Sequence, residues 1–120
     1  MSVPIIGVHH VAIQVDDVEA ARAFYGEVLG LVEIDRPDFP VGGAWFQLGV
    51  DELHIGAEDG HIAPDRQHFA LQVGDLDAAV AAIEIHGVSV RKTGLTFPGA
   101  GYQAFLRDPS GNLIELNQPE

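Results

Sequence analysis

The sequence predicts an α+β fold in which two tandem βαβββ modules form an open, cup-shaped mixed sheet with the helices on its outside. The first observation behind this prediction is an internal repeat, since residues 10–18 (HVAIQVDDV) return 58 positions later as residues 68–76 (HFALQVGDL). A second match joins residues 53–55 to residues 114–116, 61 positions later, and a three-residue loop insertion accounts for the difference in spacing. The third observation is that the same order of helix and strand patterns follows each copy. The chain therefore contains two copies of one structural module.

The first module opens with a strand and a helix. Apolar and polar residues alternate over residues 8–15, as they do on a half-buried strand. Asp16 and Asp17 then supply the N-cap of an amphipathic helix, which Gly30 ends. Three more strands are expected at residues 31–35, 44–48 and 52–56. Module one therefore spans residues 5–57.

The second module repeats this order. A strand at residues 67–73 precedes a helix that Asp75 caps and Gly87 closes. Three further strands are expected at residues 88–92, 102–107 and 113–117. Module two then spans residues 66–119, and a polar linker at residues 58–65 joins it to module one. Together they make one domain of 120 residues.

Composition limits the partners that the protein can have. The chain has 6 Lys and Arg against 18 Asp and Glu, a net charge of -12, which argues against binding to nucleic acid or to an anionic membrane surface. The absence of cysteine excludes disulfides and thiolate metal sites. The first residues carry neither the basic segment nor the apolar run of a signal peptide or membrane span, so we expect a cytoplasmic protein.

Four residues that can bind a metal fall on one face of the predicted sheet. The alternation places them opposite the apolar face that packs on the helices; they are His10 and His54 from module one, and His68 and Glu115 from module two. Three imidazoles and a carboxylate are a suitable ligand set for one divalent metal ion. Ligand chemistry alone does not choose between Zn, Ni, Co, Fe and Mn.

Four other residues are candidates for binding a small-molecule substrate. Gln14 and Gln72 lie on the same predicted face as the metal ligands. Phe97 and Tyr102 flank a glycine-rich loop at residues 94–101 that could cover the cup. The remaining large aromatic residues of the strands are expected in the core instead; they are Trp45, Phe46 and Phe105.

Three motifs resemble the vicinal oxygen chelate superfamily. They are HHVAIQVDD (residues 9–17), FYGEVLGL (residues 24–31) and FLRDPSGNLIEL (residues 105–116). This superfamily includes glyoxalase I, methylmalonyl-CoA epimerase, extradiol dioxygenases, fosfomycin-resistance transferases and bleomycin-resistance proteins. The resemblance implies a glyoxalase-like fold, whose paired modules surround a metal ion held by His10, His68 and Glu115. His54 stands where the glyoxalase and epimerase types carry Glu or Gln.

The resemblance implies three functions, of which the first is favoured. It is a metal-dependent glyoxalase-like lyase or isomerase, acting on a small oxygenated substrate that chelates the metal, with Glu115 as the catalytic base. If His54 is not a ligand, His10, His68 and Glu115 would form the two-His-one-carboxylate iron site of an extradiol-type dioxygenase. The third is an antibiotic-sequestering binding protein of the bleomycin-resistance type. A homodimer is expected in each case, because two open-edged half-barrels can cover each other's edges.

Overall fold

The computed structural model describes residues 1–95 and 97–120 and confirms the predicted α+β class and the βαβββ order of each half. The first half contains β1 (His10–Val15), α1 (Val18–Ala23), β2 (Glu33–Ile34), β3 (Gly43–Leu48) and β4 (Asp51–Ala57). The second contains β5 (His68–Gln72), α2 (Leu76–Glu84), β6 (Arg91–Gly94), β7 (Tyr102–Arg107) and β8 (Leu113–Gln118).

Each half forms its own four-stranded mixed sheet. The strand orders are β1-β4-β3-β2 and β5-β8-β7-β6. In both sheets the first strand pairs in parallel with the last, and the other neighbours are antiparallel. As a result β1 and β5 are edge strands, and the first residues of the two sequence repeats occupy equivalent positions.

Both helices begin at the aspartates that the sequence predicts. An Oδ1 atom of Asp17 accepts a hydrogen bond from the backbone N–H of Ala20, and Asp75 does the same for Ala78, each at 3.0 Å. Such a cap stabilises a helix by about 1 kcal/mol. Gly87 follows α2 with a φ of 80°, a left-handed conformation that favours glycine at the end of a helix.

The first helix differs from the prediction in its second half. It continues from α1 as a π-helical turn over Phe24–Val28, in which the backbone N–H of Leu29 donates to the carbonyl of Phe24 at 2.9 Å. Phe24 and Tyr25 are neighbours in sequence, yet both are buried in this turn. A π turn is an irregularity of this kind of helix, and the 3.6-residue pattern contains no signal for it.

Two strands are placed differently from the prediction. β2 is limited to Glu33–Ile34, and β6 begins at Arg91 rather than at residue 88. Val88 and Val90 pack against the core without belonging to a strand. The alternation of apolar residues therefore predicted burial correctly. It did not predict a strand, because a strand also requires a neighbour for its backbone hydrogen bonds.

The core lies between each sheet and its helix. In the first sheet the buried apolar strand residues are Val15, Ala44, Phe46, Leu53 and Ile55, and in the second they are Ala104, Leu106, Ile114 and Leu116. Burying one large apolar side chain stabilises the fold by about 1.5–3 kcal/mol, so this side of each sheet fixes the strand register. The opposite side of each sheet is left open for polar residues.

A turn of module two, residues 108–112, holds the two modules together; we call it the clamp turn. The Tyr25 hydroxyl donates to Oδ2 of Asp108 at 2.7 Å, and Asn112 Nδ2 donates to the Gln14 carbonyl at 2.8 Å. Burial raises the pKa of the Tyr25 hydroxyl far above its ordinary value, and the charge of Asp108 adds to this effect. The radius of gyration of the chain is 15.1 Å, slightly above the value of about 14 Å for a compact domain of this length.

Neither of the described helices combines the length and the apolar character that crossing a membrane would require.

Candidate metal centre

Module two brings His68 and Glu115 together on its open face. The ladder between β5 and β8 pairs Ala70 with Glu115, so that His68 lies one step along the same face. His68 Nε2 is 3.0 Å from Glu115 Oε1. On its other side, His68 Nδ1 donates to the backbone carbonyl of Arg66 at 2.8 Å. Because a carbonyl oxygen can only accept, Nδ1 carries the proton of this hydrogen bond. The bond holds the ring with Nε2 toward the Glu115 carboxylate.

The carboxylate of Glu115 is buried and held by amide donors. Only 7% of the residue is exposed, and Oε2 accepts hydrogen bonds from Asn117 Nδ2 at 2.8 Å and from Gln103 Nε2 at 3.3 Å. Both donors belong to the same open face, since Gln103 pairs with Asn117 across β7 and β8. The amides leave Oε1 directed at His68, in one fixed orientation.

This pair fits a bound cation. The Nε2 lone pair of His68 and the Oε1 atom of Glu115 face each other, so a proton or a metal ion must lie between them to offset their repulsion. Two ligand atoms bound at right angles, each about 2.1 Å from a metal, are about 3.0 Å apart. The observed separation of 3.0 Å therefore matches two adjacent positions of an octahedral ion.

Module one places its two predicted ligands in a stack of rings. Trp45 and His54 are stacked at 3.6 Å with an angle of 2° between the planes, and His10 covers the other face of His54 at 4.0 Å and 18°. His54 Nε2 is 2.9 Å from Glu52 Oε1, and His10 Nδ1 is 2.9 Å from His9 Nδ1. His10 therefore retains its Nε2 atom for a further partner.

The two halves of the predicted ligand set belong to different sheets. His10 and His54 lie on the first, and His68 and Glu115 lie on the second. Across residues 1–95 and 97–120, no group of three or more His, Cys, Asp or Glu side chains is close enough to hold a metal ion. One chain therefore presents two half-sites, and the four-residue ligand set stays a prediction.

The four predicted substrate-binding residues are distributed over both faces. Gln14 and Gln72 lie on the open faces, where they pair with Gly56 and Asn117 respectively. Tyr102 alternates with the open-face residues of β7 and lies on the helix side, in a hollow that Lys92 also lines. Phe97 is 68% exposed and lies between β6 and β7, outside both strands.

Sequence reasoning assigned two aromatic residues to the wrong environment. Trp45 and Phe105 were expected in the core, but both lie on open faces: Trp45 stacks on His54, and Phe105 has its ring 5.7 Å from that of His68. Glu52 and Gln103 were not singled out as site residues at all. The available signal was strand alternation, because each of these residues directly adjoins a buried residue of its strand.

Comparison with known proteins identifies the family. The chain matches the model of the Glyoxalase/Bleomycin resistance protein/Dioxygenase superfamily over residues 7–116. Lactoylglutathione lyase GLX1 of Arabidopsis thaliana is 30% identical over 91% of this chain, which spans only 43% of that relative. A Synechocystis protein named probable lactoylglutathione lyase is 30% identical over 91% of this chain and 92% of its own length.

Solved structures agree with this assignment. A Bacillus anthracis protein assigned to the glyoxalase family is 33% identical, with a TM-score of 0.91 over the whole of both chains. The antibiotic binding protein TnmS3 from Streptomyces sp. CB03234 is 28% identical, with a TM-score of 0.79 over 99% of this chain and 100% of its own. A variant of the fosfomycin resistance protein FosX of Listeria monocytogenes, solved with Mn(II), shares the fold with a TM-score of 0.82, at 20% identity over 97% and 94% of the two chains. The protein is therefore a member of the glyoxalase/bleomycin resistance protein/dioxygenase superfamily.

Proposed function

We propose that this protein is a metal-dependent lyase or isomerase of the glyoxalase type, acting on a small oxygenated substrate. The observation that carries the proposal is the separation of 3.0 Å between His68 Nε2 and Glu115 Oε1, which suits two ligands of one divalent ion. The similarity to proteins named lactoylglutathione lyase supports the reaction class. His10 and His54 would complete the ligand set, and the metal would be Zn, Ni, Co, Fe or Mn.

Glu115 would act as the catalytic base. When bound, the metal would supply Lewis-acid stabilisation of an oxyanion on the substrate. Asn117 and Gln103 donate to Oε2 of Glu115 and thereby hold the carboxylate at one position while it takes up a proton from carbon. Because Glu115 is buried, little water reaches its carboxylate, so the carboxylate would exchange its proton with the substrate and not with solvent.

The complete site would form in a homodimer, where module one of one protomer faces module two of its partner. Support comes from the two half-sites of the single chain, each of which lies on an open face and is short of ligands. In a two-fold dimer each half-site meets the complementary one, so that two equal sites result.

Mixing two defective variants tests this arrangement. His10→Ala and His68→Ala each lack one ligand, but a heterodimer of the two contains one intact site and one that lacks both. After random exchange of protomers, we expect the mixture to hold about a quarter of an ion per chain, while neither variant alone holds a stoichiometric amount. If the mixture holds no more metal than its components, the site does not form between protomers.

The catalytic assignment has a separate test. Metal-loaded protein is assayed for conversion of methylglyoxal and glutathione to lactoylglutathione and for proton exchange at the carbon next to the carbonyl of small 2-oxo acids. Glu115→Gln should lower kcat by at least about a hundredfold, the usual scale for a general base. Glu27→Gln is the control, because it removes the same charge at an exposed position. Retained turnover in Glu115→Gln would contradict the base assignment.

A dioxygenase is the second candidate, and the surroundings of His54 favour it. Both faces of that ring are covered and its Nε2 is 2.9 Å from Glu52, so His54 is already engaged within its own module. His10, His68 and Glu115 would then form a two-His-one-carboxylate site. Anaerobic loading with Fe(II), followed by addition of catechol and oxygen, distinguishes the two enzymes. A dioxygenase would cleave the catechol ring and would show no lyase activity.

Sequestration of an antibiotic is the third candidate, and the similarity to TnmS3 favours it. The net charge of -12 suits a cationic drug. Tight binding of bleomycin without turnover, in protein that takes up no metal, would favour this function over both enzymes.

A further inference from the structure

We infer that Arg36, together with Gln14 and Phe39, forms a binding subsite for a carboxylate group of the substrate. The inference rests on the proposed function, because the ligand concerned is the substrate of the same cup. It adds a chemical class: a small metal-chelating compound that carries a carboxylate at its far end.

Arg36 has no anionic partner among residues 1–95 and 97–120. Across the described residues its guanidinium makes one hydrogen bond, from Nη2 to the carbonyl of Val41 at 2.8 Å, although the group has five donors. Its Nε atom is buried and lacks a hydrogen-bond partner in this part of the chain. Native proteins rarely leave a buried donor unpaired, and such cases call for a missing partner.

Two of the other five basic residues have carboxylate partners. Arg22 binds Glu19 and Glu33, and Lys92 binds Asp77, each at about 3 Å. In the described residues Arg66, Arg91 and Arg107 have no ion pair with a carboxylate either, but these three are exposed, and the buried side-chain nitrogen without a partner is that of Arg36. Arg36 is therefore available for an anion that comes from outside the chain.

Contacts around Arg36 connect it to the candidate metal centre. The guanidinium carbon lies 4.9 Å from the centre of the Phe39 ring, and Phe39 is in turn 6.2 Å from Trp45. Trp45 stacks directly on His54. The cation is thus held on an aromatic surface that continues to a predicted metal ligand.

Glycines leave room for these side chains. A Cβ atom at Gly56 would lie 2.9 Å from Gln14 Oε1, and one at Gly43 would lie 2.8 Å from Arg36 Nη2, as well as overlapping the Ile55 carbonyl. Gly43 and Gly56 pair across β3 and β4, so both gaps occur at the same end of the sheet. Larger residues there would displace the arginine and the glutamine.

A hollow of about 550 Å³ lies at this end of the sheet. Gln14, Arg36, Phe39 and Gly56 line it. Its acidic lining residue is Glu58, whose carboxylate is 3.4 Å from His61 Nδ1 and so has a partner of its own. The hollow therefore offers an arginine fork and an amide, the donors that recognise a carboxylate.

The distance to the metal centre defines the ligand. Gly56 is two residues beyond His54 on β4, which is about 7 Å along a strand. A substrate that chelates the metal beside His54 would therefore reach Arg36 with a carboxylate some four or five bonds away. A five-carbon 2-oxo diacid has this length. The five-carbon 2-oxo acid that lacks the second carboxylate would place only an uncharged methyl group near the arginine.

The test compares 2-oxoglutarate with 2-oxopentanoate, which share the chelating end and differ in the distal carboxylate. Binding to the metal-loaded full chain is followed by calorimetry and by the fluorescence of Trp45, the single tryptophan. We expect at least about tenfold tighter binding of 2-oxoglutarate, as a charge-assisted pair provides. Arg36→Met should abolish that preference, Arg36→Lys should keep part of it, and the control Arg22→Met should keep all of it.

The outcomes separate this inference from the proposed function. A metal-loaded protein that shows no preference, or a preference that survives in Arg36→Met, overturns the subsite and leaves the enzyme assignment standing. If the parent takes up no metal, the proposed function fails, and glutarate titrated against the metal-free chain then tests the subsite by itself. If Arg36→Met does not fold, the exposed Phe39 provides the second variant, because Phe39→Ala should reduce the preference by loosening the guanidinium.

Discussion

Replacing Asp108 with asparagine should strongly destabilise the protein. Its carboxylate is 5% exposed and accepts four hydrogen bonds: Oδ2 from Tyr25 and Asn112 side chains, and Oδ1 from the backbone N–H groups of Ser110 and Asn112, all at 2.7–2.9 Å. In Asp108→Asn one oxygen becomes an NH2 group, so two of these donors face another donor. Hydrogen bonds to a charged group contribute about 1.5–3 kcal/mol each, which predicts a loss of about 3–6 kcal/mol.

Urea unfolding at fixed protein concentration, followed by Trp45 fluorescence and circular dichroism, measures this loss. For a small domain with a slope of about 1.5 kcal/mol per molar urea, the midpoint should fall by about 2 M or more. Asp59→Asn, at an exposed linker position, is the matched control and should change stability by less than about 0.5 kcal/mol. A loss below about 1 kcal/mol for Asp108→Asn would refute the role of the clamp turn in joining the modules.

Two further predictions concern Tyr25 and Trp45. Burial raises the pKa of Tyr25, so the folded protein keeps this proton while the unfolded chain loses it above about pH 10; stability is therefore fully present below pH 10 and falls above it by about 1.4 kcal/mol per pH unit. Urea midpoints between pH 9 and 11.5 check this, and Tyr25→Phe should lack the contribution; an unchanged slope in Tyr25→Phe would assign the effect elsewhere. Trp45→Ala removes the ring that stacks on His54 and should weaken metal binding by about tenfold or more, measured by competition with a chelator, whereas Trp45→Phe should retain most of the affinity. Equal affinity in Trp45→Ala and the parent would show that the stack does not position the ligands.

The fold was predictable because two independent signals agree. The repeat that begins at His10 and His68 gives the order of elements, and strand alternation gives the face on which each residue lies. The alternation is local: burial of Leu53 and Ile55 on one side of β4 places His54 on the other, open face. The same reasoning placed Glu115 correctly on the open face of its strand.

The arrangement of the half-sites was not predictable in the same way. Alternation determines which face carries His10 and His68, but it contains no information on how two sheets are oriented relative to each other. That orientation depends on contacts such as the hydrogen bond from Tyr25 to Asp108, between residues 83 positions apart. Periodicity over a single strand cannot detect such a contact.

Trp45 and Phe105 were assigned wrongly because the general preference of large aromatic residues for the core was given more weight than strand alternation. Trp45 lies between the buried residues Ala44 and Phe46, so alternation already predicted the open face for it. Tyr102 is the opposite case, since it alternates with Gln103 and lies on the helix side with Ala104. In both strands, position relative to the buried neighbours was the better guide than residue type.

Metal content is the measurement that tests the central claim most directly. The parent protein and His68→Ala are reconstituted with each of Zn, Ni, Co, Fe(II) and Mn, dialysed, and analysed by plasma mass spectrometry. The His68–Glu115 geometry predicts about one ion per chain in the parent and its loss in His68→Ala, with the other three ligands His10, His54 and Glu115 unable to compensate. A parent protein that retains none of these metals after reconstitution would contradict the claim that this fold holds a metal-dependent enzyme.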